Sequence, residues 1–185
     1  DQLPILQHAL SRAFERWLNC NTPNEPIDLQ HMADIGGLNE ALGVHAEEIF
    51  DSLSLEERDA ALGLARAITV MEGTVALRRP LRLDTIVEVS GRPRKLIINV
   101  IEAYRVEGAS FLLPGLPQEL TDDCVIDISH ESLIRQWPRL WQLVMEEAED
   151  AKNYHRLSES AKRNNRQMAL YNAGEATKPG EDYLL

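Results

Sequence analysis

Val125-Ile126-Asp127-Ile128-Ser129-His130-Glu131-Ser132-Leu133-Ile134-Arg135-Gln136-Trp137-Pro138-Arg139-Leu140 changes period halfway along. Val125 and Asp127 alternate with Ile126 and Ile128, the period-two pattern of a strand with one buried face. From Glu131 the apolar residues Leu133, Trp137 and Leu140 return every three or four positions, which gathers them on one side of a helix. His130 stands at the junction. There the unpaired N–H groups and the dipole of a helix start favour an anion, and a phosphate is the expected one.

Working outward, residues 110–114 read as a second strand. Pro114-Gly115-Leu116-Pro117 and Thr121-Asp122-Asp123 join it to the first as a hairpin. Ser54-Leu55-Glu56-Glu57 places a hydroxyl three residues before a carboxylate, so a capped helix should run from there to about Met71. Val75 to Arg79 follows as a short strand and Leu83 to Val89 as a short helix. Ser90-Gly91-Arg92-Pro93 then turns the chain into a longer helix ending near Gly108. Three helices and a hairpin wing make residues 54–140 a winged helix. Ahead of it, Leu3, Leu6, Leu10, Phe14 and Trp17/Leu18 mark one face of an amphipathic helix. Asp28 caps a short helix, and Gly36-Gly37 precedes another from Leu38 to about Leu53, so residues 1–53 form a small helical subdomain. Beyond the wing, a helical pattern continues to about Asn165, with Pro138 as a kink or a second start. Residues 141–167 form a C-terminal helix and 168–185 a linker or tail. The acidic run Glu146-Glu147-Ala148-Glu149-Asp150 gives way to five basic residues against one Glu between Ala151 and Gln167, as on a solvated or bridging helix.

Composition excludes several functions. The chain has 185 residues, 44% apolar and 26% charged, enough for one compact core or two small ones. Its longest apolar runs are far shorter than the roughly 20 residues that cross a bilayer. Asp1-Gln2-Leu3-Pro4 has neither an initiating Met nor a secretory signal, and reads as an excised boundary. Cys20 and Cys124 have no partners at metal-ligand spacing, which suggests free thiols in a reducing cytoplasm. A net charge of −11 disfavours nucleic acid as the main partner. Gly-Lys never occurs as a dipeptide, so the phosphate-cradling Gly-x-x-x-x-Gly-Lys-Ser/Thr loop is absent from the sequence. Cys124-Val125-Ile126-Asp127 has the form of a magnesium-holding strand but lacks its loop, and His130-Glu131 lacks the second zinc ligand of a protease helix. His8, His31, His45 and His155 read as surface or satisfied structural residues. No catalytic or metal-binding residue is assigned.

Two separated motifs carry a resemblance. Leu3-Pro4-Ile5-Leu6-Gln7-His8-Ala9-Leu10 resembles the Gly-Leu-Pro-Leu lid motif of STAND NTPases, above all the bacterial novel STAND group often fused to WD40 repeats. Gly36-Gly37-Leu38 and His45-Ala46-Glu47-Glu48 are similar to the next part of that group, and the Val125–Leu140 stretch to its winged-helix closing motif. The resemblance covers roughly residues 1–172. It implies a mainly α fold, a helical lid subdomain followed by a winged helix and a long C-terminal helix, cut from a nucleotide-binding core. It gives Pro4 a place near adenine and His130 a contact to the ADP β-phosphate, with Leu3, Glu131, Arg135 and Trp137 supporting the motifs. The family's Met-His-Asp triplet stands here as Ser129-His130-Glu131, and Gln2 replaces the lid glycine. ADP or ATP would bind only together with a P-loop domain of the same polypeptide, and WD40 or other repeats and an activated oligomer are the further partners implied. The chain would then be no enzyme by itself, but would hold the ADP-bound closed state of a switch and relay its opening. Two other readings stay open: a DNA-binding winged helix using Arg92, Arg94, Lys95 and Arg105, and a connector without nucleotide contact.

Overall fold

Capping side chains set the helix starts in the first half of the chain. The computed structural model describes residues 3–19, 26–106 and 108–172. Helix α1 spans Leu3–Asn19. The Asp28 carboxylate accepts from the N–H groups of Gln30 at 3.0 Å and His31 at 3.3 Å and so starts α2, Leu29–Asp34. Gly36, at φ 85°, takes the left-handed turn that leads into α3, Gly37–Ser52. Ser54 and Glu57 exchange bonds across the first turn of α4, Leu55–Ile68. Each such cap contributes about 1 kcal/mol.

The helix expected to reach Met71 stops at Ile68. Thr69 leaves helical geometry, its hydroxyl donating to the Ala65 carbonyl at 2.7 Å. From there β1, Thr69–Glu72, pairs antiparallel with β2, Val75–Arg78, around a turn at Gly73. Ladder bonds to β2 satisfy backbone groups that another helical turn would have used, a non-local gain that a period-based reading omits. Strand β3, Leu81–Arg82, precedes α5, Leu83–Ser90, and after Gly91 the chain enters α6, Arg94–Arg105. Strands β4, Leu112–Leu113, and β5, Val125–Ile128, are antiparallel, with Leu112 opposite Ile128. Strand β5 is central, because β3 pairs its other edge with Leu81 opposite Ile126. Of the two outcomes open at Pro138, a kink or a second start, the structure has the second start: α7, Ser132–Gln136, and α8, Pro138–Asn172. Pro138 lacks the N–H a continuous helix would need, yet fits the first position of a new one. The described chain is thus mainly helical, with small antiparallel sheets and a long last helix.

The main core lies between α4, α5 and α6 and the three-stranded sheet, where Leu83, Ile86, Ile97, Ile101, Ile126 and Ile134 are each fully buried. A second, smaller core of Ala9, Ala13, Ile35 and Ala41 joins α1, α2 and α3. The face that periodicity marks on α1 is not in it. Leu3, Leu6, Leu10, Phe14 and Leu18 are 42–70% exposed, and the helix buries its alanine face instead. The chain divides into two compact units, residues 1–146 and 147–185. The described part of the second is the remainder of α8, whose side chains are mostly exposed and carry i,i+3 pairs such as Glu159–Lys162 at 3.0 Å.

Candidate functional site

A cleft of about 240 Å³ opens where α1 meets the end of β5. Gln7, His8 and Ser11 of α1 line one side, and Ser129 and His130 the other. The floor is the turn 108–111. Gly108 (φ 90°) and Ser110 (φ 47°) both take left-handed conformations there, and Ala109 and Ser110 donate back to the Val106 carbonyl at 3.1 and 3.3 Å. A non-glycine residue in that region costs of order 1–3 kcal/mol and persists only where its surroundings impose it. Phe111 imposes it: its ring is buried, its N–H donates to the Tyr104 carbonyl at 2.8 Å, and its carbonyl accepts from Ser129 at 2.9 Å. The turn is thereby tied to α6 on one side and to the residue before His130 on the other.

His130 is exposed and precedes α7, accepting at its carbonyl from Leu133 N–H at 3.0 Å. Helix α7 has only five residues and its cap residue, Glu131, makes no side-chain capping bond. Its dipole is therefore too short to supply the attraction expected of a long helix start, and the polar groups of the cleft are what remain to receive an anion. Pro4 occupies the first turn of α1, one helical turn before His8, and its side chain lies outside the described residues. Leu3, also in that turn, is 70% exposed.

Two histidines that the sequence leaves scattered meet beside this cleft. His8 Nε2 lies 3.2 Å from His45 Nδ1, the rings stack at 5.2 Å, and both pack on Phe111 at 5.2 and 5.3 Å. Burial, then the Arg12 guanidinium, hold both imidazoles below their ordinary value, His45 down to about 3. The His130 ring adds to the depression at His8. Arg12 itself bonds Glu15 at 3.2 Å and Glu48. His31 stands apart from this pair and is structural, buried with Nδ1 2.7 Å from the Asp28 carboxylate. The one sequence signal for the pair is that His8 and His45 each precede an alanine destined for a helix contact.

Of the supporting residues of the second motif, Trp137 joins Arg139 and Glu47 in a latch between α3 and the start of α8. Trp137 is buried and its indole N–H donates to Glu47 Oε2 at 2.6 Å. Arg139 grips both oxygens of the same carboxylate and lies 4.1 Å over the Phe50 ring. The Arg139 hydrogen bonds, followed by that from Trp137, hold the Glu47 carboxyl below its ordinary range. Tyr104 packs on Trp137 at 5.8 Å and donates to the Ala46 carbonyl at 3.2 Å. Gly43 is the close approach in this junction: a Cβ there would lie 2.0 Å from the Gln136 carbonyl oxygen. Arg135 is exposed at the rim of a wider cleft of about 740 Å³ shared by α3, α7 and α8.

The basic residues of the DNA-binding reading are largely committed elsewhere. Arg92 pairs with Asp59 at 2.9 Å, Arg94 with Asp122 at 2.8 Å, and Arg105, 3% exposed, with Glu102 at 2.8 Å. Lys95 is exposed. Cys124 is buried and free, while Cys20 lies outside the described residues. Among the described residues no cluster of three His, Cys, Asp or Glu side chains is placed to hold a metal ion, and no helix is long and apolar enough to cross a membrane.

No curated protein and no solved structure matches the chain. The family model described as Novel STAND NTPase 1 matches residues 1–169. That match takes in α1, the cleft, His130 and nearly all of α8, and on it the chain belongs to the Novel STAND NTPase 1 family.

Proposed function

We propose that this chain is the regulatory part of a STAND signalling NTPase, a helical lid of residues 1–53 and a winged helix of residues 54–140, which stabilises the ADP-bound closed state and relays nucleotide-dependent opening to flanking domains. The observation that carries it is the cleft shared by α1 and His130, since the helix bearing Pro4 and the strand end bearing His130 reach one polar cavity. At about 240 Å³ the cleft falls just below the roughly 300–1,000 Å³ of complete small-molecule pockets. That size suits the phosphate end of ADP, with the rest of the nucleotide held by a P-loop domain. The lining fits such a group: the amide of Gln7, the hydroxyls of Ser11, Ser110 and Ser129 and the imidazoles of His8 and His130 are donors suited to phosphate oxygens.

In this reading the chain binds and restrains but does not cleave. His130 donates to a phosphate oxygen, a bond to a charged group worth about 1.5–3 kcal/mol, which biases closed over open by roughly ten- to a hundredfold. Such a bias works because the contact exists in one state only. The exposed apolar stripe of α1 borders the cleft, since Leu10 lies three residues from Gln7 and Phe14 three from Ser11, the spacing of neighbours on a helix surface, and it is the surface on which the P-loop domain seats. Repeats such as WD40 beyond α8, an activated oligomer and a cytoplasmic setting complete the proposal. The ion pairs at Arg92, Arg94 and Arg105 weigh against the DNA-binding alternative, because a phosphate would have to displace a carboxylate at each. ADP affinity of the full-length NTPase, wild type against His130→Ala, tests the reading. A loss of about tenfold is expected; unchanged affinity would reduce the chain to a structural connector.

A further inference from the structure

We propose that His8 is a second phosphate ligand in the α1–His130 cleft, and that His45 is the positioning residue that fixes which nitrogen of His8 carries the proton. The proposal rests on the phosphate reading of the cleft above, and gives roles to two histidines that the sequence reads as surface or structural residues. His8 lines the cleft through α1, and His130 lines it from beyond β5, so two imidazoles from separate elements border one space. His8 Nε2 is engaged by His45 Nδ1 at 3.2 Å, whereas its Nδ1 has no hydrogen bond among the described residues.

Two neutral rings share one proton at such a contact, and only two arrangements are possible. When His45 Nδ1–H donates to His8 Nε2, the His8 proton resides on Nδ1, and that N–H is available to a phosphate oxygen. When His8 Nε2–H donates instead, Nδ1 presents a lone pair, which repels the same oxygen. A phosphate therefore selects the first arrangement, and His45 makes it available by acting as donor. Phe111 packs against both rings and fixes their planes, so the choice is made by proton position rather than by ring rotation. The charged groups around the pair are Arg12, Glu15 and Glu48, with His130 across the cleft. Burial and Arg12 keep the rings neutral near pH 7, the condition under which tautomer matters. Because His45 belongs to α3, phosphate in the cleft would also tighten the contact between α1 and α3.

Two-bond ¹H–¹⁵N spectra of the histidine rings report tautomers directly, and the full-length NTPase, ¹⁵N-labelled at histidine and titrated with inorganic pyrophosphate at pH 7.5, is the test. The expected result is that His130 and His8 both respond, with His8 settling in the Nδ1–H form. His45→Phe should weaken pyrophosphate binding about tenfold and release the His8 tautomer. His45→Asn, whose amide N–H takes the place of Nδ1–H, should restore both, and His45→Gln, whose amide reaches one atom too far, should not. If His45→Phe does not fold, the contrast between Asn and Gln decides. A response at His130 without one at His8, or full affinity in His45→Phe or His45→Gln, would overturn the proposal and leave the phosphate cleft standing. No response at either ring would overturn both.

Discussion

Gly43 shows how much one missing methyl can control. A Cβ at this position would sit 2.0 Å from the Gln136 carbonyl oxygen, a backbone atom that cannot rotate away, so α3 and α7 would have to separate. Gly43→Ala should therefore lower the unfolding free energy by about 1–3 kcal/mol by chemical denaturation, despite alanine's better helix propensity. The histidine pair makes a second prediction at this scale. Folding holds the His8 and His45 pKa values below 6.5, so the neutral rings are favoured in the native state. That stabilisation is complete above about pH 6.5 and is lost as pH falls from there toward 3. For a pair still reached by solvent it amounts to something on the order of 1 kcal/mol. His45→Asn should flatten the fall in unfolding free energy across the upper part of that window; an unchanged slope would assign the fall to carboxylates such as Glu47. Neither effect was legible in the sequence, since His8 and His45 are 37 residues apart and Gly43 has nothing local to distinguish it from a tolerated helical glycine. The Asp28 and Ser54 caps were legible, because both partners lie within three residues.

At the scale of elements, the latch between α3 and α8 depends on one carboxylate. Glu47→Ala removes the acceptor of the Trp137 indole and the partner of Arg139 together, leaving a buried N–H unsatisfied. A cost of about 1–3 kcal/mol is expected, with a red-shifted tryptophan emission as Trp137 loosens. Helix α1 gives the opposite case. Leu10→Asp, at a position 55% exposed, should change the stability of the isolated chain by no more than about 0.5 kcal/mol, yet weaken seating of the P-loop domain. A large loss of stability would show that the stripe is part of this chain's own packing. The spacing of Leu3, Leu6, Leu10 and Phe14 correctly gathered them on one face, but periodicity reports that a face seeks cover and not whether the cover belongs to the same fold. The strand β1 was missed for a related reason, since its helix-compatible residues become a strand through pairing with Val75–Arg78.

For the whole molecule, the account is of a divided site. Novel STAND NTPase 1 membership, the polar cleft and the exposed stripe on the helix beside it fit one arrangement, in which this chain supplies the restraining half of a nucleotide pocket. His130 was readable from the junction of two periods, whereas its opposite wall on α1 emerged only when the fold brought residues more than a hundred positions apart around one cavity. The most direct measurement is hydrogen–deuterium exchange on the full-length NTPase in its ADP-bound and ATP-analogue-bound states. The account predicts that ADP slows exchange together in residues 3–18 and 128–134 and that the ATP analogue releases both. Protection confined to one segment, or the same in both nucleotide states, would contradict it.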